Sequence, residues 1–528
     1  MSSAPTRSRT PGRSVGSSVA DDRRFDVAVI GAGFGGLGTA LSLAERGARV
    51  ALFESLNYPG GCASTFERDG HRFESGATLF SGLAPGQLFG TWIERYGLDV
   101  QVEWIDPVIE LRTPDWKLAV TRDRHKLVQA FQRFPDAPHD ELERFFRMQR
   151  KVADLLWGVL EDPERLPPFG ARGLLRNLRH AAHALPVARW VGRPLFDVLK
   201  SYGLADFAPL RTYLDALCQI TVQCSAAEAE APFALGAMDY VYRGTGHVRD
   251  GIGSLAWGLV DGLTSQGARV SLSDRVRSIE RTGSAWRVSS RRGAIEADTV
   301  VANVLPHGLR KLLGVEPGAL RKLDRTARDV ERSWGACMLY LTARAPQNAS
   351  PEAAHLELVH DPKKPLVEGN HIFCSIASAA DRGRTPQDDP RLRTMTVSTH
   401  LPMKQLRTRA SEEQGEYVQD VQQRMRRTLS ALAPEWELGV TRSMPASPRT
   451  FERFTGRYAG YVGGAPRRVG EVRYTGLLPR PVLPGLFLVG DSVLTGQSTL
   501  ATALGGVKVA DTIARTLSPT STRNGAQQ

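Results

Sequence analysis

The chain contains several short apolar runs with the length and composition of buried parallel strands. Residues 25–30 and 48–53 form the first two such runs, and a segment with helical spacing separates them. Further runs occur at residues 299–302 and 485–489. Runs of this length, bounded by turn residues, are typical of strands covered on both faces. The pattern predicts an α/β domain assembled from separate stretches of the chain.

The first apolar run leads directly into a glycine-rich turn, Gly31–Gly36, that contains Phe34. Gly31 allows a tight turn, Gly33 lets a phosphate approach the backbone, and Gly36 lets helix and strand pack closely. The second run ends at Glu54, about 20 residues further on, where a carboxylate accepts hydrogen bonds from ribose hydroxyls and repels a 2′-phosphate. These elements in register predict a site for an adenine dinucleotide other than NADP.

Two further segments favour FAD over NAD. The doublet Gly60-Gly61, followed by Ser64, permits a backbone loop to fold against the pyrophosphate and flavin. Near the C-terminal end, a strand ends in Gly490-Asp491, where the aspartate is placed to bind ribityl hydroxyls. The helix that follows would direct its N-terminus at the flavin. The small residues before and within its first turn include Gly496, Thr499 and Thr502.

The middle of the chain adds a third part of the same unit and a second domain. The backbone at Val276 is expected beside the adenine, and residues 299–302 close the unit. Residues 125–250 carry apolar side chains at helical spacing, whereas residues 335–400 alternate between apolar and polar. We expect the former to form a helical substrate domain and the latter a sheet over the flavin.

Composition narrows the class of protein. The chain has 528 residues and a net charge of +12, to which residues 1–24 contribute five arginines and two aspartates. No nucleic-acid-binding module is visible, so the charge favours an anionic membrane surface as partner. Residues 169–193 contain five arginines, no acidic residue and interleaved leucines, which suits a lipid surface or a solvated helix face equally. The apolar runs are too short to span a bilayer, and the five cysteines lack metal-ligand spacing.

The same residues resemble a known family of flavoproteins. Gly31–Gly36, Pro59–Thr65, Asp69–Gly76 and Gly490–Ser492 look like the carotenoid desaturase and isomerase group, which includes retinol saturases. Pro448–Phe451 with Arg453–Arg457 strengthens the match and looks closest to the carotenoid 3,4-desaturase branch. The chain departs from the family pattern near the expected flavin face and substrate mouth, at Cys62, Glu74, His247-Val248, Leu494–Gly496 and Leu500-Ala501.

The resemblance implies a Rossmann-like FAD-binding domain of the glutathione-reductase and amine-oxidase type, with an inserted substrate domain of mixed sheet and helices. The overall class is α/β, or α+β when the inserted domain is counted. Terminal tails without regular structure are expected at residues 1–24 and 518–528. The FAD-binding domain is expected to comprise residues 25–115, 245–305 and 478–517, the helical substrate domain residues 116–244, and the substrate-domain sheet residues 306–477.

The function implied by the resemblance is desaturation of a carotenoid-like polyene by hydride transfer to non-covalently bound FAD in the cytoplasm, at a membrane surface. The electron acceptor would be a quinone or dioxygen. Alternatives are a polyene isomerase or saturase that uses reduced FAD, a flavin amine oxidase, and a non-catalytic flavin-binding chaperone. Residues Val493–Ala503 contain no Tyr or Trp, which an amine oxidase would need for an aromatic cage.

The sequence offers several candidates for a catalytic acid or base and does not select one of them. His247, Asp250 and Glu74 lie near cofactor-binding segments and are candidates. Their structural alternatives are a surface histidine, an N-cap for the helix after Gly251, and a buried hydrogen-bonded carboxylate. Covalent attachment of the flavin through Cys62 or His71 is not expected, and no metal cluster is visible.

Overall fold

A computed structural model describes residues 24–165, 170–179, 185–386, 388–472, 480–493 and 496–516 of the chain. The expected tails lie outside the described residues except for Arg24, which instead begins the first strand. The strands are β1 (Arg24–Ile30), β2 (Val50–Phe53), β3 (Thr65–Arg68), β4 (His71–Glu74), β5 (Val102–Glu103), β6 (Ile109–Arg112), β7 (Lys117–Val120), β8 (His247–Val248), β9 (Arg269–Ser271), β10 (Val276–Thr282), β11 (Ala285–Ser290), β12 (Ala294–Ala302), β13 (Trp334–Arg344), β14 (Ala354–Val359), β15 (His371–Ile376), β16 (Leu392–Pro402), β17 (Val440–Ala446) and β18 (Leu486–Leu488).

Helices fill the predicted helical region and also cover the sheets. Single 3₁₀ turns occur at Pro163–Arg165, Tyr240–Tyr242 and Tyr458–Gly460. The α-helices are α1 (Phe34–Ala44), α2 (Leu88–Tyr96), α3 (Arg124–Gln132), α4 (His139–Leu160), α5 (Ala171–Arg179), α6 (Leu185–Ala188), α7 (Leu195–Ser201), α8 (Ala208–Thr221), α9 (Ala231–Ala237), α10 (Ile252–Ser265), α11 (Pro306–Leu313), α12 (Arg321–Val330), α13 (Met403–Arg407), α14 (Ser411–Leu432), α15 (Pro434–Glu437), α16 (Pro448–Thr455) and α17 (Thr499–Ala514).

The first sheet joins distant parts of the chain. Its parallel part runs in the order β18, β12, β1, β2, β9, and the hairpin β10–β11 extends β12 on an antiparallel edge. Residues Val27–Val29 and Val50–Leu52 have no more than 1% exposure, as expected for strands covered on both faces. The predicted apolar runs therefore form a buried parallel sheet, as their composition predicts.

The second sheet is mostly antiparallel, in the order β17, β13, β16, β15, β14, β6, β7. The alternating segment predicted within residues 335–400 supplies its central strands. The neighbouring strands β6 and β7 also belong to this sheet, and β6 pairs with β14 in parallel. The second sheet thus takes in residues 109–112, which lie before the expected start of the substrate domain.

Helices α1 and α17 cross at glycines, so their backbones are in contact. A Cβ atom at Gly506 would lie 2.3 Å from the carbonyl oxygen of Gly35, and one at Gly38 would lie 2.6 Å from that of Ala503. The Thr39 hydroxyl donates hydrogen bonds to the carbonyl oxygens of Gly35, at 2.9 Å, and Gly506, at 3.2 Å. This contact fixes the last helix beside the first one.

The structure also bears on membrane-spanning helices and on the environment of the cysteines. Among the described helices, none combines the length and apolarity needed to cross a bilayer. Four cysteines are buried and Cys62 is half-buried.

Substituting Gly506 by alanine tests the helix contact. We expect G506A to destabilise the protein by about 1–3 kcal/mol, because the added methyl group overlaps the Gly35 carbonyl and the helices must separate. Unfolding by urea, followed by circular dichroism, measures the change.

The matched control is the same substitution in the exposed helix α14. Nothing lies within 4 Å of a Cβ atom at Gly415, so G415A is expected to stabilise the protein by up to about 1 kcal/mol. Equal effects of the two substitutions would contradict the close contact between α1 and α17.

Candidate functional site

One continuous cavity of about 990 Å³ lies between the two sheets and the helical region. This volume is at the upper end of the range of about 300–1,000 Å³ that is usual for small-molecule sites. One end is lined by the glycine-rich segments of the first sheet, and the other by apolar side chains of the second sheet and of helices α4, α8 and α9. The cavity can therefore accommodate a polar ligand at one end and an apolar one at the other.

The glycine loop after β1 forms the wall of the polar end. Gly31 has φ of 97°, which a residue with a side chain rarely adopts, and a Cβ atom at Gly36 would lie 2.0 Å from the Gly31 carbonyl oxygen. Gly31, Gly33 and Phe34 line the cavity, whereas Gly36 is at the contact between the helix and the turn. Helix α1 starts without a side-chain cap or an acidic residue in its first turn, which leaves its positive end available to an anion.

Asn303 holds this loop in place and was missed by the sequence analysis. In the amide orientation that satisfies both of its polar groups, Asn303 Oδ1 accepts hydrogen bonds from the backbone N–H groups of Gly33, at 3.2 Å, and Gly36, at 3.3 Å. The signal was its position directly after Ala302, the last residue of the strand that pairs with β1. The carboxyl ends of neighbouring parallel strands meet at one edge of a sheet, where ligands bind.

Glu54 lines the cavity at the carboxyl end of β2 and is almost fully buried. Its carboxylate accepts hydrogen bonds from the backbone N–H groups of Ala32 and Leu56, at 2.8 and 2.9 Å. Val276 lines the cavity nearby, next to Asp274. The buried Asp274 Oδ2 has no hydrogen-bond partner among the described residues, so this end of the cavity presents an acceptor to a ligand.

The second glycine segment lies against the first. The backbone N–H of Gly60 donates to the Ala32 carbonyl oxygen at 2.8 Å, and both Gly60 and Gly61 line the cavity. Ser64 is not part of the lining, and its hydroxyl donates to the Gly61 carbonyl oxygen at 2.9 Å. This hydrogen bond supports the glycine doublet on the side that faces away from the cavity.

The C-terminal segment completes the polar end. Gly490, Asp491, Thr499 and Thr502 line the cavity, whereas Gly496 is packed against the guanidinium group of Arg467. The hydroxyl of Ser498 caps α17 by accepting a hydrogen bond from the Ala501 N–H. Leu494 and Thr495, two of the residues that depart from the family pattern, lie outside the described residues.

A buried cation contacts this segment. Arg457 Nη2 lies 2.8 Å from Asp491 Oδ2, so the carboxylate expected to bind ribityl hydroxyls is already paired on one side. Burial acts to lower the pKa of Arg457, but Asp491 and Cys62 outweigh it and the pKa is raised. The Cys62 thiol also lines the cavity, and burial raises its pKa. A protonated thiol and a paired cation therefore lie together at Cys62, one of the positions where the chain departs from the family pattern.

The polar end of the cavity fits FAD. Three glycine segments expose backbone where side chains would obstruct a pyrophosphate, and two helix N-termini lie beside them. The unpartnered Asp274 oxygen and Glu54 lie at the far end of the same cradle. The donor and acceptor groups present thus match an adenine dinucleotide along its length.

The three candidate acid and base residues do not line the cavity as far as the described residues show. They meet instead in a buried network around Asp381 and Arg384. His247 Nε2 is 2.9 Å from Asp381 Oδ2, and Arg384 Nη2 is 2.7 Å from Glu74 Oε1. The Asp250 carboxylate accepts a hydrogen bond from the Arg382 N–H and does not cap α10, whose N-cap is Gly251.

The electrostatics of this network are those of a structural joint that connects β4, β8 and the start of α10 to the loop between β15 and β16. Burial acts to raise the pKa of Asp381, but the hydrogen bond from His247 and the charges of His247 and Arg384 lower it to about 2. Asp381 is therefore ionised at neutral pH and anchors its neighbours. His71, which was considered for covalent attachment, hydrogen-bonds the Thr342 hydroxyl at 3.1 Å.

The other end of the cavity is mainly apolar. Its lining includes Leu156, Trp157 and Leu160 from the end of α4, and Phe233 from α9. Strands of the second sheet contribute further apolar groups together with Glu357, Ser398 and His400. These polar residues cannot be identified from the sequence, because an alternating strand does not show which of its faces borders a cavity.

The comparisons with known proteins agree with this arrangement. Residues 34–514 match the family described as flavin containing amine oxidoreductase. Prolycopene isomerase 1 of an Oncidium hybrid cultivar is 26% identical, over 94% of this chain and 85% of that protein. The phytoene desaturase (neurosporene-forming) of Cereibacter sphaeroides is 24% identical, over 71% of this chain and 74% of that protein. The resemblance to the carotenoid desaturase and isomerase group is therefore confirmed.

The fold has solved counterparts. A putrescine oxidase structure with bound putrescine has 17% sequence identity and a TM-score of 0.60, and the match covers 93% of this chain and 99% of that one. An identity this low shows the shared fold alone, and it confirms the predicted amine-oxidase-type architecture. FAD is the cofactor of the family whose match spans residues 34–514, and the protein is an FAD-dependent oxidoreductase. The chain belongs to the family of flavin-containing amine oxidoreductases.

Proposed function

We propose that this oxidoreductase desaturates a carotenoid-like polyene. The observation that carries the proposal is the single cavity, because its glycine-lined cradle continues into a mainly apolar chamber. A long hydrocarbon that enters such a chamber loses its contact with water and reaches the cofactor along the same wall. The chain then needs few polar groups to orient it.

The cradle assigns roles to the predicted cofactor residues. We propose that the pyrophosphate and flavin are contacted by six residues of the lining, namely Gly31, Gly33, Phe34, Gly60, Gly61 and Gly490. Gly36, Ser64 and Gly496 would support them without contacting the cofactor. Glu54 and Val276 would contact the adenosine half, and Asp491, Thr499 and Thr502 the flavin half. The FAD-binding domain would thus draw on the first, middle and last parts of the chain.

FAD, when bound, supplies the hydride acceptor for this reaction. The residues of the chain exclude water and hold the polyene against the cofactor. The polyene would be held by apolar side chains that line the cavity, among them Ala336 and Met338 of the second sheet and Phe233 of α9. A quinone or dioxygen is the class of electron acceptor that would reoxidise the flavin.

A second candidate is isomerisation of a polyene with reduced FAD. It is favoured by the match to a prolycopene isomerase over 94% of this chain. Amine oxidation is disfavoured because residues 493–503 contain no Tyr or Trp for an aromatic cage. A flavin-binding chaperone would keep the cradle but would show no substrate-dependent change in the flavin.

The exposed face of α5 supports a location at a membrane surface. Leu174, Leu175 and Leu178 are 50%, 51% and 62% exposed, next to exposed arginines of the same helix. Helix α5 packs on the turn Pro163–Arg165, just after the part of α4 that lines the cavity. An apolar and basic face at this point suits an anionic lipid surface from which a polyene could enter. Trp190, by contrast, is buried, so part of the basic stretch belongs to the core.

Anaerobic mixing with polyenes tests the proposed reaction. We expect phytoene or neurosporene in liposomes to bleach the flavin of the holoprotein near its visible maximum, with a new double bond in the product. Stopped-flow absorbance and chromatography of the polyene measure the two events. Prolycopene and putrescine serve as the comparison substrates.

The other outcomes identify the rival functions. Product that forms only after prior reduction of the flavin would establish the isomerase or saturase and rule out desaturation. Bleaching by putrescine and by no polyene would identify an amine oxidase.

Substitutions on α5 test the membrane surface. We expect the triple change L174S, L175S and L178S to weaken binding to vesicles of phosphatidylglycerol and phosphatidylcholine by at least about 10-fold, since each half-buried leucine contributes roughly 1 kcal/mol. Sedimentation with the vesicles measures the bound fraction.

Leu438 provides the control, because it is 88% exposed and lies at the end of α15. L438S should leave vesicle binding unchanged. If the triple variant binds as tightly as the unsubstituted protein, α5 is not the lipid contact.

A further inference from the structure

The apolar end of the cavity contains few groups that can exchange a proton. This end is lined by the second sheet, by helices α4, α8 and α9 and by the turn Tyr240–Tyr242. Its titratable lining residues, among those described, are Tyr240, Glu357 and His400. A desaturation releases one proton for each hydride, and a buried proton acceptor is needed where water is excluded. These three residues are therefore the candidates for that role.

Two of the three are already engaged. The Tyr240 hydroxyl donates a hydrogen bond to the Leu79 carbonyl oxygen, and burial raises the pKa of the hydroxyl. Glu357 Oε1 lies 3.1 Å from His371 Nε2, and both side chains are 3% exposed. Neither ring nitrogen of His400 has a hydrogen-bond partner within the described part of the chain. The imidazole of His400 is therefore the free acceptor on this wall.

His400 also lies close to the proposed flavin segments. It lies opposite Ala336 in the antiparallel pair of β16 and β13, and directly opposed residues face the same side of a sheet. Ala336 packs in one apolar cluster with Met338, Cys62 and Val462. Cys62 follows the glycine doublet, so this patch of wall borders the cofactor cradle.

Glu357 is further from the cradle. It lies on β14, which is separated from β16 by β15. Neighbouring strands are about 4.8 Å apart, which places β14 roughly 10 Å beyond β16 along the sheet. A substrate carbon held next to the cradle would therefore be within reach of His400 rather than of Glu357.

The charge state of His400 suits the role. Burial, and then the nearby His371, lowers the pKa of His400 to about 3, so the ring is neutral at neutral pH. A neutral imidazole has a lone pair available on one nitrogen. Because a polyene that has lost a hydride is a strongly acidic cation, even a weak base at the correct position removes its proton.

We propose that His400 is the proton acceptor of the reaction, an inference that rests on the proposed function. With FAD bound, the substrate would give a hydride from one carbon to the cofactor, which would thereby be reduced, and a ring nitrogen of His400 would accept the proton from the neighbouring carbon. The electron pair of the broken C–H bond at the second carbon forms the new double bond. The imidazolium would release its proton to solvent once the product has left the cavity, and the quinone or dioxygen would reoxidise the cofactor.

Single-turnover bleaching of the holoprotein by phytoene or neurosporene in liposomes tests this role. We expect H400Q, which keeps a polar side chain but no base, to slow flavin reduction by about 100-fold or more. The FAD content should stay that of the unsubstituted protein. In H400A, added imidazole should restore part of the rate, which a purely structural effect would not allow.

S398A is the matched control on the same wall, because Ser398 lines the cavity on the same strand. Its rate should change by less than about threefold. The variant E357Q, measured in the same way, tests whether the Glu357 carboxylate rather than His400 accepts the proton.

Each outcome decides the question. If H400Q bleaches as fast as the unsubstituted protein, or if E357Q alone loses the activity, His400 is not the acceptor and the proposed function stands. If the unsubstituted protein is not bleached by any polyene, the proposed function and the inference fail together.

Discussion

The contact between the backbones of α1 and α17 is the constraint on which the rest of the site depends. Because glycines occupy the crossing, the carbonyl of Gly35 can lie where a Cβ atom at Gly506 would otherwise be. The contact holds the loop after β18 beside the glycine loop after β1. Asn303 then links the loop to the carboxyl end of β12, where β12 pairs with β1 on one side and β18 on the other. Three segments from distant parts of the chain thereby present one continuous surface of backbone.

The second sheet gives the cavity a different electrostatic character. At the cradle, Arg457 is paired with Asp491, whereas the carboxylates of Glu54 and Asp274 have no ion-pair partner among the described residues. Along the apolar wall, the groups that can titrate are held neutral or are bonded to one another, as His400 and the pair of Glu357 and His371 show. A low local dielectric makes an unpaired charge costly in this chamber. The cavity thus combines a polar cradle with a chamber that selects against charged ligands.

The sequence was sufficient for the features that depend on local geometry. The glycine turn, the strand that ends at Glu54 and the segment ending in Gly490-Asp491 are local patterns, and the structure places them around one cavity. Asn303, Arg457 and His400 depend on strand order, on a crossing of the chain or on the facing of a strand, which no short window of residues contains. The acid and base candidates were chosen by closeness in sequence to the cofactor segments. The structure instead gathers His247, Asp250 and Glu74 around Asp381 and Arg384 of the loop between β15 and β16.

The joining of α1 to α17 has a consequence for synthesis of the protein on the ribosome. The Thr39 hydroxyl and the Gly506 carbonyl that it contacts are 467 residues apart in the chain. At translation rates of about 5–20 residues per second, the first helix waits roughly 20–90 s for its partner. During that time its glycine face is open and the edge of the sheet next to β12 lacks β18. The nascent chain cannot form the complete cofactor cradle until α17 has emerged, so cofactor capture has to wait for a helix that is made long after the first one.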